Sequence, residues 1–217
     1  LATAQNRLAE KGLFDELAIP VAPYRAVDSL ESLKQAVAEL GLPIVLKTVT
    51  GGYDGKGQFV LRSEDQIDTA WAELGPAKSL IAESFVKFSR EVSIIAVRGQ
   101  DGDVKTWALA ENHHHNGILS HSIVPAPNST DLQPVAQDYI TRLLNHLNYV
   151  GVLTLELFVT EQGLYANEMA CRVHNSGHWS IEGAICSQFE NHIRAVAGLP
   201  LGATDVVRPT VMINIIG

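Results

Sequence analysis

The stretch "KTVTGGYDGKGQFV", residues 47–60, sets four glycines and two lysines between two apolar runs. Its reading decides the fold. Glycines let backbone N–H groups approach an anion closely, so a phosphate cradle is the first candidate. Neither common phosphate loop fits. The P-loop has a Gly five positions before its Gly-Lys pair and a Ser or Thr after it, where this chain has Thr50 and Gly57. The dinucleotide pattern G-x-G-x-x-G begins at Gly55 and Gly57 and fails at Val60. Two readings remain: a third kind of glycine loop with Lys56 at its tip, or an ordinary hairpin tip carrying a surface lysine. Lys47 lies in an apolar strand, where a lysine is costly unless its ammonium reaches water or an anion.

Working outward, "IVLKTV" and "QFVLR" read as two strands of a hairpin around the loop. Three amphipathic helices surround them. The first covers residues 3–18 and stops before Pro20. The second has Asp28 as N-cap with Glu31 three places on, apolar Leu30, Leu33, Val37 and Leu40, and a Gly41/Pro43 stop. The third starts at a Ser63/Gln66 capping box and runs through Ile67, Trp71 and Leu74 to Gly75-Pro76. Beyond them, "SLIAESFV", "REVSIIAVRG", a "QDGD" turn and "VKTWALAEN" suggest an antiparallel sheet. Residues 131–148 read as a long helix, "GVLTLELFV" and "LYANEMACRV" as a hairpin, and residues 187–197 as a closing helix. The expected class is α+β, with helices covering an antiparallel sheet.

The chain has 217 residues, a formal charge of -8 and a pI near 5.4. That balance argues against nucleic-acid or anionic-membrane binding over a broad surface, which needs clustered Lys and Arg. No apolar run approaches the ~20 residues of a spanning helix. Two cysteines, Cys171 and Cys186, form no disulfide framework or zinc spacing, which leads us to expect packed thiols in a reducing cytoplasm. The chain lacks an initiating Met and ends on the strand-like "PTVMINIIG", so we expect a piece of a longer protein.

Chemistry can be placed on the second hairpin by alternation. In "GVLTLELFV", Leu153, Leu155, Leu157 and Val159 share one face, and Val152, Thr154, Glu156 and Phe158 the other. A three-residue turn at residues 161–163, with Gly163 left-handed, would pair Thr160 with Leu164 and set Glu156 opposite Glu168. Like charges directly opposite need a counter-ion or must splay into solvent. A divalent cation such as Mg²⁺, held by one or two carboxylates, would satisfy them; a solvated face is the alternative. "CRVHNSGHWS" follows, where Arg172 suits a carboxylate, bicarbonate or phosphate and His174 can trade protons, although taken alone the segment reads more safely as a polar surface loop. In "ENHHHNG", three consecutive histidines cannot all point to one side, so a single functional His is expected rather than a zinc site.

These motifs occur in the order expected of the ATP-grasp ligases. "GGYDGKGQ", "ELFVT", "NEMACRVHNSGHW" and "SQFENHIRAVAGLPLG" together resemble the N5-carboxyaminoimidazole ribonucleotide synthase family, over nearly the whole chain. The resemblance implies an ATP-grasp fold: a helix and connector over 1–24, a small glycine-loop lid subdomain over 25–85, and a larger, mainly antiparallel core with metal and bicarbonate sites over 86–202. Residues 203–217 would begin a C-terminal region. It implies ATP contacts at Arg7, Lys47, Gly52, Tyr53, Asp54, Gly55, Lys56, Gly57, Gln58, Glu83, Ser84, Phe85, Val86, Glu91, His114, Asn167 and Glu168. The implied metal ligands are Glu156 and Glu168, for Mg²⁺ with Mn²⁺ as the alternative ion. Tyr53, Asp54, Lys56, Arg172 and His174 would hold the ribonucleotide or the bicarbonate-derived group, with Lys56, Arg172 and His174 catalytic.

The implied reaction is ATP-dependent carboxylation of aminoimidazole ribonucleotide by bicarbonate, in a cytoplasmic homodimer without nucleic-acid or membrane partners. The family commonly has Pro where this chain has Cys171, and it carries an N-terminal α/β domain and further C-terminal sequence that this chain does not. Rival readings are another ATP-grasp enzyme, such as a formate-dependent glycinamide ribonucleotide transformylase or a biotin-carboxylase-like subunit, and a nucleotide-binding module without turnover.

Overall fold

Alternation and capping build two units, residues 1–87 and 88–217. The structure is a computed structural model and describes residues 2–51, 57–77 and 79–215. Gly52, Tyr53, Asp54, Gly55 and Lys56, the centre of the expected lid, lie outside the described residues.

In the first unit, Asn6 caps helix α1 (Arg7–Glu16) by accepting from Ala9 N–H, so the expected helix from residue 3 breaks here into a short 3-10 turn and α1. Strand β1 (Tyr24–Val27) leads to α2 (Leu30–Leu40). The cap of α2 is Ser29, in a reciprocal box with Ser32, and not Asp28 with Glu31; the Asp28 carboxylate instead accepts from the Ser32 hydroxyl. Strands β2 (Ile44–Thr48) and β3 (Gln58–Leu61) form the expected hairpin, Lys47 facing Gln58. Helix α3 (Ile67–Leu74) follows a 3-10 turn, and Gln66 accepts from Arg62 N–H, so the Ser63/Gln66 box is not made.

Strand β4 (Leu80–Ser84) does not join the second sheet as "SLIAESFV" suggested; it runs between β1 and β2 in a four-stranded antiparallel sheet of order β1-β4-β2-β3. One face of this sheet, with Ile44, Leu46, Leu61, Leu80 and Ala82, closes a core with Leu33 and Val37 of α2 and Ile67, Ala70 and Leu74 of α3.

The second unit holds β5 (Arg90–Arg98), β6 (Val104–Thr106), β7 (Ala110–His115), β8 (Ile118–Val124), α4 (Leu132–His146), β9 (Gly151–Thr160), β10 (Gly163–Ala170), α5 (Ser180–Gly183), α6 (Gln188–Val196) and β11 (Thr210–Ile213). "VKTWALAEN" is two strands, because the chain leaves the ladder between Thr106 and Ala110 and sends buried Trp107 to donate to Cys186 O. The antiparallel sheet has the order β10-β9-β5-β7-β8-β11, with β6 pairing on β5. Helix α4 packs on β5, β9 and β10, and α6 on β9 and β5. Cover on both faces explains why β9 is buried at every position from Gly151 to Leu155.

The β9/β10 hairpin reaches its register by another route than expected. Its turn has two residues, Glu161 and Gln162, so Thr160 pairs with Gly163 and not with Leu164. An irregularity at Asn167 then shifts the ladder by one, and Glu168 falls opposite Glu156 after all. Neither Cys171 nor Cys186 is in a disulfide, and Cys186 is buried. Among the described residues, no helix is long and apolar enough to cross a membrane.

Candidate active site

Alternation on β2 and β4 puts Lys47 and Glu83 on the face opposite the helical core of the first unit. Lys47 Nζ lies 3.1 Å from Glu83 Oε2, which supplies the anion that a lysine in an apolar strand requires. Lys11 of α1, only 2 % exposed, reaches the same oxygen at 3.6 Å. Burial alone would raise the Glu83 carboxyl, yet the charges of Lys11 and Lys47, the Lys47 hydrogen bond and the charge of Arg7 outweigh it and hold the group below the ordinary carboxylate range. Among the described residues its other oxygen, Oε1, is buried without a hydrogen-bond partner, an acceptor left open to an N–H donor.

Arg7 donates to Thr48 O at 3.0 Å. Ser84 N–H and Phe85 N–H are already engaged, with Pro23 O and Pro43 O, while Phe85 stays exposed and Val86 half-buried. Gly57, at φ 70°, accepts from Thr48 N–H beside the exposed Gln58.

In the second unit, one face of the sheet changes character along its length. Ile95, Val97, Ala110 and Val152 form an apolar end packed against Trp179 and Ala195. The same face carries Glu91 and Ser93 on β5, Asn112 and His114 on β7, Glu156 on β9 and Glu168 on β10. Of the expected site residues, Glu91, His114, Glu156, Glu168 and His174 come together at this polar end. His114 Nδ1 lies 3.2 Å from Glu91 Oε2, and His174 Nε2 lies 3.1 Å from Glu156 Oε1. Ligand atoms of Glu91, His114 and Glu156 all fall within 4.8 Å of one another.

The hydrogen bond to Glu91 raises the His114 pKa against the effect of burial, and the charges of Glu91, Glu156 and Glu168 add to the rise. Such a field favours cations. Glu156, facing Glu168, with Glu91 and His114 alongside, could hold a divalent cation.

Of the three consecutive histidines, only His114 joins this group. His113 lies 3.0 Å from Glu111 and stacks on His121, and His115 is exposed. Ordinary alternation along β7 puts His113 and His114 on opposite faces of the sheet. Asn167 sits at the ladder shift beside Glu168. Arg172 is exposed and donates to Val173 O, apart from the His174–Glu156 contact. Two features escaped the sequence reading: Lys11 beneath Glu83, and a string of buried hydroxyl and amide groups, Ser93, Asn112, Ser122 and Ser176. For Ser93, Asn112 and Ser122 the signal was the one used for Lys47, a polar residue inside a strand, whereas Ser176 lies in a 3-10 turn and carried no such signal.

Fold and site together define an ATP-grasp protein. The ATP-grasp domain model matches residues 12–189, and the chain belongs to that family. Its relatives include the N5-carboxyaminoimidazole ribonucleotide synthases of Pseudomonas aeruginosa, 52% identical over 100% of this chain and 59% of the relative, and of Bacillus subtilis, 50% identical over 100% and 57%. Among solved structures, the N5-carboxyaminoimidazole ribonucleotide synthetase of Thermus thermophilus matches with a TM-score of 0.93 at 48% identity, covering 99% of this chain and 58% of that one. The Aspergillus clavatus synthase in complex with ADP and 5-aminoimidazole ribonucleotide matches at a TM-score of 0.91 and 32% identity, covering 100% and 58%. The chain thus spans a little under six-tenths of the length of these proteins.

Proposed function

We propose that this chain is the ATP-grasp part of an N5-carboxyaminoimidazole ribonucleotide synthase, which carboxylates 5-aminoimidazole ribonucleotide with bicarbonate at the expense of ATP. One observation carries the reading: the Glu156/Glu168 pair and His174 of "HNSGHW" meet on one sheet face. That contact joins the groups suited to a metal-bound nucleotide to the segment suited to the ribonucleotide and bicarbonate.

Bicarbonate is a poor electrophile. Its oxygen attacks the γ-phosphorus of ATP, ADP leaves, and the carboxyphosphate formed delivers its carboxyl group to the amine of the ribonucleotide with release of phosphate. A bound Mg²⁺, or Mn²⁺, offsets charge on the phosphoryl group in transfer. Glu156 and Glu168 are the residues to hold it, with Glu91 alongside. In the first unit, Glu83 Oε1 accepts the nucleotide's amino group and Lys47 supplies positive charge. In the second, Nε2 of His174 donates to Glu156 and holds that carboxylate in place. Arg172, Tyr53, Asp54 and Lys56 complete the proposed ribonucleotide and bicarbonate contacts. The assembly proposed is a cytoplasmic homodimer. Catalysis rests on positioning and electrostatics, since phosphoryl transfer needs little covalent chemistry from the protein.

The test is ADP release from Mg·ATP, with aminoimidazole ribonucleotide and bicarbonate added separately and together. Release stimulated by the ribonucleotide, with carboxylated product, is the expected result. A response to glycinamide ribonucleotide and formate instead would keep the ATP-grasp chemistry and replace the substrate. Silence in every mixture would favour a nucleotide-binding module.

A further inference from the structure

His174 is held from two sides by groups that the proposed reaction does not use. Its main chain is clamped by Gln188, which is 0% exposed and whose amide accepts from His174 N–H at 2.9 Å and donates to His174 O at 2.7 Å. Its ring ends a buried string. Ser122 Oγ donates to Asn112 Oδ1 at 2.7 Å, and Asn112 Nδ2 to Ser93 Oγ at 2.9 Å. Ser93 Oγ donates to Ser176 Oγ at 2.8 Å, which leaves the Ser176 proton for His174 Nδ1, 2.9 Å away. All four of these residues are at most 6% exposed.

Each hydroxyl has one proton to give and Asn offers N–H on one side and C=O on the other, so fixing one end of the string sets the direction of the whole. An independent contact fixes the far end. The main-chain N–H of Ser176 also points at His174 Nδ1, at 3.3 Å, and a peptide N–H can only donate. Nδ1 is therefore the acceptor nitrogen. The ring proton sits on Nε2, 3.1 Å from Glu156 Oε1.

We propose that Ser176, backed by Ser93, Asn112 and Ser122, is a positioning residue that fixes the Nε2–H tautomer of His174 and thereby the orientation of Glu156. A buried polar string of this kind, satisfied at every member, is rigid, and rigid support of a reacting group is what preorganised catalysis requires. The role rests on the synthase reading for its purpose but not for its test.

The test is a long-range proton–nitrogen NMR correlation on the full-length protein, ring-labelled at histidine, at about pH 8, above the ordinary imidazole range of ~6.5. The His174→Gln variant assigns the signals. In the native protein, His174 Nδ1 is expected to resonate as a bare nitrogen and Nε2 as N–H. In Ser176→Ala, loss of one hydrogen bond should raise the Nδ1–H population roughly tenfold. Ser93→Ala should raise it less, being one step removed. Turnover in Ser176→Ala should fall about tenfold in kcat with KM for ATP unchanged, as for a group that acts through another. An Nδ1–H tautomer in the native protein overturns the proposal, and that spectrum needs no variant to fold. Tautomer populations unchanged in both serine variants overturn it too. The expected tautomer shift in a protein silent toward every substrate mixture would sink the synthase reading and leave the positioning role standing.

Discussion

Glu83 is 5 % exposed and shares one oxygen between two lysines. Such a group titrates abnormally, and its sign can be worked out. Its folded pKa lies below the ordinary carboxyl value of ~4.3, so the unfolded chain takes up a proton first as pH falls. The stabilisation is fully present above that value and is lost as pH drops through the folded pKa. Urea unfolding followed against pH should therefore show stability rising with pH in the acid range, and Glu83→Gln should flatten that rise. At neutral pH the same variant should lose about 3 kcal/mol, because it leaves buried Lys11 without its carboxylate. An unchanged unfolding free energy would show that the pair is not stabilising. Glu168 makes a different demand. Glu168→Gln keeps the shape but removes an ionic ligand, so Mg·ATP turnover should fall at least ~100-fold while circular dichroism stays unchanged. Turnover at the native rate would remove Glu168 from the metal site.

The β9/β10 hairpin shows what could be read one element at a time. Period-two alternation made the shared face of Glu156 legible, and the facing of Glu168 came out right although the turn did not. The expected turn was one residue too long, and the extra residue is instead taken up at Asn167. A bulge has no strong signature when flanked by ordinary strand residues, which is why it escaped notice. Sheet membership was equally opaque for β4, whose sequence says strand but not which neighbours it will pair with. The caps of α2 missed by one residue because Asp28, Ser29 and Ser32 are all competent capping groups. Contacts far apart in sequence, such as Ser93 to Ser176 at a separation of 83 residues, leave no local trace at all. The two-residue turn also makes a testable demand on Gly163, which adopts φ 119° with nothing within 4 Å of an added Cβ. Gly163→Ala should therefore cost ~1–3 kcal/mol through backbone strain alone, measured by denaturant unfolding. No loss would mean that the turn relaxes to a negative φ.

Across the whole molecule the formal charge is -8, and the polar sheet face adds a local cluster of Glu91, Glu156 and Glu168. A free nucleoside triphosphate is itself a polyanion. Net charge and local field both oppose its binding unless a divalent cation travels with it. Thermal unfolding separates the two forms of the ligand. A ligand at 100 times its Kd stabilises the state it binds by ~2.7 kcal/mol. For a chain of this size, Mg·ATP should then raise Tm by roughly 5–10 °C. The same ATP concentration with a chelator should raise it far less, and Glu156→Gln should bring the two curves together, since the carboxylate that distinguishes them is gone. Higher salt should narrow the gap between the curves, because it screens the repulsion of the metal-free ligand over a Debye length of ~8 Å. Equal shifts with and without the metal in the native protein would mean that the acidic face takes no part in nucleotide binding, and the metal site would have to be sought elsewhere.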